Sequence, residues 1–363
     1  MSDRPRVGIV GTGFMGGVHA RAVTAAGGEV TAVLGSGPGR SAAAAARLPG
    51  ARAAADLADL LDSGVDVVHL CTPNHLHARD AAEVIAAGVP VVCEKPLATT
   101  VADAERLTAG AAAAGLVTAV PFVYRYHALV REARARIADD PDAGLWLLHG
   151  SYLQDWLGDR SAGNWRVDPE LGGSTRAFGD IGVHWCDLME YVTGHRITRV
   201  QARFGRAFQD RGPLGARRAV RTEDGAVVSF ETDRGAIGSL VVSQASAGRK
   251  NRLWFSFDGP GQSYSFDQEG PEQLWIGGRA ANTTLLRDPA LSSAHADRFD
   301  PLPPGHPQGY RTCFEDFVAD VHAALAGQPA EGMPTFADGL RAARISAAVT
   351  ASAEHGTIME VPV

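Results

Sequence analysis

Between residue 6 and about residue 120, short Val/Ile-rich runs without polar alternation recur between Ala-rich stretches of helical spacing. Unalternating apolar runs suit strands covered on both faces. They predict strands directly after Arg6 and at Glu29 to Leu34, Val65 to Leu70, Val89 to Cys93 and Leu116 to Val120. Helices are expected between them, near Arg40 to Leu48, Asp56 to Asp62, His75 to Ala87 and Val101 to Ala114. Strand and helix in strict turn predict a doubly wound parallel sheet, an α/β Rossmann-type domain over residues 1–125.

Past Leu145 the pattern becomes one of strands separated by Gly, Asp and Pro turns. They are expected at Trp146 to Gln154, Thr198 to Phe208, Ala226 to Thr232, Ala236 to Gln244, Arg252 to Phe257, Gln262 to Phe266 and Gln273 to Ile276. Asp224-Gly225, Arg234-Gly235 and Asp258-Gly-Pro-Gly261 read as hairpin turns. A helix near Ala128 to Ala138 opens this region, and one near Ile181 to Thr193 interrupts the strands. Residues Arg279 to Pro307 read as a long loop, and closing helices follow near Tyr310 to Ala326 and Phe336 to Glu354. Residues 126–363 therefore predict an α+β C-terminal domain with a large, mostly antiparallel open sheet. So few helices leave one sheet face for a partner subunit.

The chain has 363 residues, beyond the size at which single cores stop growing, so two domains are expected. A net charge of −7 without a Lys/Arg block gives no nucleic-acid surface, and the Arg131 to Arg136 and Arg217 to Arg221 clusters read as solvated faces. Four cysteines without a Cys-x-x-Cys pair read as reduced buried thiols. No secretory apolar run follows Met1-Ser-Asp-Arg-Pro-Arg6 and no stretch approaches a membrane span, so no membrane association and a cytoplasmic location are expected.

Chemistry enters at the first turn. Gly11-Thr-Gly13-Phe14-Met15-Gly16 stands between strand and helix, where backbone N–H groups can hold a pyrophosphate. Thr72, Pro73, Asn74 and His77 end the strand Val65 to Leu70 at the same edge, where ligands of open sheets bind. His75 and His77 read equally as polar residues of a helix start. Glu94-Lys95-Pro96 ends the next strand. Lys95 there can stabilise a developing alkoxide, or pair with its neighbour at the surface. Asp180 and His184 are four apart, so a helix would set them on one face, with the imidazole as proton acceptor and the carboxylate orienting it. Asp180 as helix cap with a buried His184 is the plainer alternative. A metal set of Asp180, His184 and Asp187 is a further one, although no tight His or Cys spacing completes it. Tyr124 leaves the last N-terminal strand. Gln154, Asp155, Trp165, Arg166 and His306 offer hydroxyl partners and a flat apolar wall, while core packing explains the aromatics as well. At the end of the second strand no acid is found. Ser36 and Arg40 there favour NADP over NAD, unless Ser36 only caps a helix and Arg40 faces water.

Gly11-x-Gly13-x-x-Gly16, Glu94-Lys95-Pro96 and Asp180-x-x-x-His184, in this order, resemble the Gfo/Idh/MocA oxidoreductase family along nearly the whole chain. The resemblance implies a nicotinamide-dependent dehydrogenase of sugars or cyclitols, forming dimers or tetramers through the C-terminal sheet. It assigns the family's lysine, aspartate and catalytic histidine to Lys95, Asp180 and His184. Tyr152-Leu-Gln-Asp-Trp156 and Asn164-Trp165-Arg166 are similar to the levoglucosan dehydrogenase branch, with inositol dehydrogenases as neighbours. A non-catalytic dinucleotide-binding sensor of the same fold is the alternative, though it would have no use for a base.

Overall fold

A computed structural model describes residues 4–140, 144–290, 293, 296, 298–328 and 330–362. The chain divides into two compact units. One runs up to Val123 and adds Tyr310–Ala343, and the other is Tyr124–Gly309 with the chain from Arg344 on.

In the first unit the strands are β1 (Arg6–Val10), β2 (Glu29–Leu34), β3 (Arg52–Ala53), β4 (Val67–Leu70), β5 (Val91–Cys93) and β6 (Thr118–Ala119). They form one parallel sheet in the order β3-β2-β1-β4-β5-β6, reversing direction of growth beside β1. Every residue of β4 and β5 is buried, as their apolar runs require. The intervening helices are α1 (Phe14–Ala25), α2 (Pro38–Ala45), α3 (Leu57–Leu61), α4 (Asn74–Ala86) and α5 (Val101–Ala113). Local chemistry sets their starts: Asp56 caps α3, and Thr100 caps α5 by accepting the Asp103 N–H. The helix expected near Arg40 begins earlier because Pro38 supplies its first turn. The strand expected over Leu116 to Val120 pairs only at Thr118–Ala119.

The second unit opens with α6 (Ala128–Asp139) and β7 (Leu147–Leu153), then α7 (Pro169–Gly172) and α8 (Val183–Thr193). β8 (Ile197–Gly205) leads to a small ribbon, β9 (Asp210–Arg211) with β10 (Arg218–Ala219). There follow β11 (Gly225–Thr232), β12 (Ile237–Ser243), β13 (Arg252–Asp258), β14 (Gln262–Asp267), β15 (Gln273–Gly278), β16 (Thr283–Leu286) and β17 (Met359–Glu360). Apart from the ribbon they form one sheet, β16-β15-β14-β13-β7-β12-β11-β8-β17, antiparallel except between β7 and β12. β16 falls within the stretch expected as loop. Residues 291, 292, 294, 295 and 297 of that stretch, like residues 1–3, lie outside the described residues.

β11 shows strict alternation of buried and exposed positions, so one face of this sheet is covered and the other open. The covered face carries Phe230, Leu240, Val242, Phe255 and Phe257, with Trp185 of α8 packed on Phe230 and Phe257. Gly150 makes this packing possible, because a Cβ there would lie 2.4 Å from the indole nitrogen of Trp185. The open face exposes Val227, Val241 and Ile237, with Val227 and Val241 directly paired across β11 and β12.

Two helices close the chain. α9 (Tyr310–Leu325) packs against α1 within the first unit. α10 (Phe336–His355) contributes its residues up to Ala343 to the first unit and the rest to the second. Among the described residues, no helix is long and apolar enough to cross a membrane.

Candidate functional site

In the first unit the β1–α1 turn is shaped by its glycines. Gly11 has φ +99°, and a Cβ on it would lie 2.4 Å from the Cys71 carbonyl oxygen, so no L side chain fits. A Cβ on Gly16 would meet the Gly11 carbonyl oxygen at 2.0 Å. Gly13 differs, since a Cβ there would touch nothing within 4 Å, and as N-cap of α1 it offers no side-chain oxygen to the first turn. The first turn therefore starts without a side-chain cap beside open space at Gly13, which fits a dinucleotide pyrophosphate. Phe14 stands exposed beside it, and Met15 accepts at its sulfur from the Tyr310 hydroxyl.

At the end of β2, Ser36 and Arg40 are both exposed, and α2 is capped by Gly37 rather than Ser36. Ser41 instead accepts the Gly35 N–H at 2.9 Å. Thr72 donates its hydroxyl to Asp80, Pro73 caps α4 and Asn74 begins it. His77 is buried, with Nδ1 2.7 Å from the Pro96 carbonyl and Nε2 2.8 Å from that of Thr72. It ties the β4 and β5 loops together. Glu94 is buried, its Oε2 accepting the Lys95 N–H at 3.1 Å, and a cis bond joins Lys95 to Pro96. Burial opposes the Glu94 charge, but His19, Lys95 and His77 hold the carboxyl below its usual range.

In the second unit Asp180 lies in a π-helical turn, Phe178–Gly182, and His184 follows in the first turn of α8. Sequence spacing promised a regular helix. The π turn carries an extra residue per turn at the point where this helix begins, as such turns often do beside functional residues. Asp180 accepts from Gln244 Nε2 at 2.7 Å and lies 3.5 Å from the Arg166 guanidinium, which stacks on Trp165. The ring of His184, only 8 % exposed, stands edge-on to Tyr124 at 5.1 Å and tilted to Tyr152 at 6.4 Å. Asp187 is taken by Arg125, whose guanidinium bonds both carboxylate oxygens, so it serves an ion pair inside the helix layer.

Tyr124, Tyr152 and Asn251 close a ring of hydrogen bonds: the two hydroxyls meet, Tyr152 donates to Asn251 Oδ1 at 2.8 Å, and Asn251 Nδ2 donates to Tyr124 at 3.2 Å. Gln154 joins by donating to Asn251 Oδ1 at 2.6 Å while accepting from Trp156. Asp155 instead pairs with exposed Lys250 and the Gly248 N–H. His306 is exposed and holds its own loop through the Pro304 carbonyl.

The turn that carries Asp180 is pinned from below. Buried Glu223 accepts the Thr175 hydroxyl and the N–H groups of Arg176 and Phe178. Asp224 Oδ1 takes both Arg176 and Arg211, and its Oδ2 takes the N–H groups of Ala207 and Phe208. Burial opposes the Asp224 charge, but the two guanidiniums hold its carboxyl below the usual carboxylate range.

Gln244, Asn251, Tyr152 and Glu223 were not expected from sequence. The first three had a signal: each continues the inward alternation of its strand with a polar group where an apolar one is expected. Register places Gln154, Gln244 and Asn251 at one end of the covered face, the end where β7 and β12 finish and β13 begins.

A parallel sheet with a glycine cradle at its first turn, joined to a second unit built on one large half-covered sheet, is the architecture of a Rossmann-fold oxidoreductase. Residues 5–122 match the profile described as oxidoreductase family, NAD-binding Rossmann fold, and residues 130–263 match the GFO/IDH/MocA C-terminal domain. The chain belongs to the Gfo/Idh/MocA family. It is 29% identical over 388 residues to the levoglucosan dehydrogenase of Pseudarthrobacter phenanthrenivorans, covering 98% of each chain. Its fold is similar to an oxidoreductase domain protein from Kribbella flavida, with a TM-score of 0.92, 32% identity and full coverage of both chains. A levoglucosan dehydrogenase solved with NADH and levoglucosan is similar at TM-score 0.91 and 27% identity, over 99% of this chain and 100% of the other.

Proposed function

We propose that the protein interconverts a ring secondary alcohol of a sugar, anhydro-sugar or cyclitol and the corresponding ketone, using a nicotinamide dinucleotide. The observation that carries the reading is Asp180, held by Gln244 and Arg166, four residues before the sheltered imidazole of His184. The glycine cradle holds the pyrophosphate on the first turn of α1. When bound, the nicotinamide supplies the acceptor for the hydrogen leaving carbon with its electron pair. His184 takes the hydroxyl proton, Lys95 stabilises the alkoxide, and Asp180 orients them. Arg166, Trp165 and the Gln154–Asn251–Tyr124 group supply hydroxyl partners and a flat wall. His77, braced between two carbonyls, shapes the nicotinamide side of the site.

NADP is the proposed preference, supported by exposed Ser36 and Arg40 and by the lack of an acid after β2. NADH in the levoglucosan dehydrogenase structure is the counterweight. We further propose that two copies of the chain pair through the open sheet face around Val227, Val241 and Ile237, giving a dimer or, with a second contact, a tetramer. Incubation of pyranoses, anhydro-sugars and inositols with each nicotinamide, read by absorbance of the reduced cofactor, tests the activity. Lys95→Ala and His184→Ala should each lower turnover by orders of magnitude with dinucleotide affinity nearly kept. Near-normal turnover in either removes that residue from the chemistry.

A further inference from the structure

The first unit contains a buried chain of polar side chains that the reaction above does not use. His19 of α1 and His69 of β4 are both fully buried, and their Nδ1 atoms lie 2.9 Å apart with the rings perpendicular. On its other side His19 Nε2 lies 3.1 Å from Glu94 Oε1. Phe314 of α9 covers the His19 ring at 5.2 Å. Glu94 as a carboxylate only accepts, so His19 Nε2 carries a proton. The facing Nδ1 atoms share a second one. Held by His69, it would leave Glu94 Oε1 facing a neutral ring. Held by His19, it makes an imidazolium that pairs with Glu94 while bonding to a neutral His69.

The second arrangement agrees with the surroundings. Burial opposes charge on His19, and the Glu94 carboxylate at hydrogen-bond distance favours it. Burial, then the charge on His19, pushes His69 down, so it stays neutral. Burial likewise keeps Cys71 and Cys93 as thiols and His322 of α9 uncharged. Glu94 itself is faced by His19, Lys95 and His77, with Asp80 beyond Cys93.

We propose that His19 is a positioning residue: braced by His69 and charged, it fixes the Glu94 carboxylate, which holds the Lys95 N–H and so aims the Lys95 ammonium. The proposal rests on the role given to Lys95 above. Without this brace Glu94 could turn about its side-chain bonds, and the Lys95 N–H would lose the Glu94 acceptor. An ångström of misplacement at a reacting group is enough to cost about 10²-fold in rate.

The test pairs kinetics with spectra on the full chain. His19→Phe fills the space but gives no donor, and should lower kcat about 10²-fold while moving dinucleotide Kd by less than about threefold. His19→Gln restores a donor near the Nε2 position and should recover at least about tenfold of that loss. A packing role would reverse this order, since phenylalanine fills an apolar space better than glutamine. In 15N-histidine-labelled protein at about pH 8, above the ordinary histidine range, His19 should show two protonated ring nitrogens and His69 one. A bare nitrogen on His19, or a His19→Phe enzyme as active as His19→Gln, overturns the proposal. Lys95→Ala separates it from the reading beneath it. Full turnover there removes Lys95 from the chemistry and the aiming role with it. An inactive Lys95→Ala beside a fully active His19→Phe overturns the positioning role alone.

Discussion

The Asp224 substitution tests the frame under the candidate site most directly. Asp224 is buried, and its carboxylate accepts from four donors: the guanidiniums of Arg176 and Arg211 on one oxygen, the N–H groups of Ala207 and Phe208 on the other. Asp224→Asn preserves shape but replaces one acceptor with an NH₂ group. Whichever way the amide turns, donor faces donor and two buried cations lose their countercharge. Breaking a buried pair in this way costs about 3–5 kcal/mol. For a unit of this size that is roughly 10 °C in Tm. Arg160→Ala is the control, because the Arg160–Asp210 pair is exposed and its loss should barely move Tm. The pH dependence has a definite sign. The folded carboxyl of Asp224 titrates below its unfolded value, so its stabilisation is complete above the unfolded range near pH 4 and is lost as pH falls through the folded value. Calorimetric and denaturant unfolding should therefore show the gap between wild type and Asp224→Asn narrowing with acidification. A neutral-pH difference below about 1 kcal/mol would refute the assignment of Asp224 as the anchor of both arginines.

Gly13→Ala should leave Tm nearly unchanged, because its Cβ meets nothing, yet weaken dinucleotide binding by about tenfold or more in a fluorescence titration. Gly16→Ala, whose Cβ would meet the Gly11 carbonyl, should lower Tm as well. Gln244→Leu removes the donor to Asp180 and should lower kcat by roughly 10- to 100-fold, the worth of a hydrogen bond to a charged group, with Kd for the dinucleotide kept. Val241→Asp should shift the mass measured by sedimentation to that of one chain without loss of secondary structure, since it charges the centre of the open face.

The fold was legible where one local rule governed many residues. The apolar runs of β4 and β5 and the alternation of β11 each reported how many faces are covered, and these separate the two sheets. The glycine turn was legible because a positive φ at Gly11 and a 2.0 Å approach at Gly16 admit no other residue. The π turn at Asp180 was not, since periodicity over five residues does not distinguish it from an α turn. Nor were the contacts of Gln244, Glu223 and Asn251, because strand register and not spacing brings residues 64, 45 and 127 positions apart into bonding distance. His19 illustrates the same limit. It reads as one more helix position, and only the pairing of β1 with β4 brings α1 over His69.

The packing of α9 on α1 also sets a timetable for biosynthesis. The ribosome releases the chain up to Val123 long before Tyr310, and at ~5–20 residues per second the interval is on the order of 10–40 s. Throughout that delay the α1 side that later meets α9, the His19 ring included, lacks its cover, so the nascent amino-terminal third emerges incomplete. A chaperone that shields this helix until translation ends would raise the yield of native enzyme.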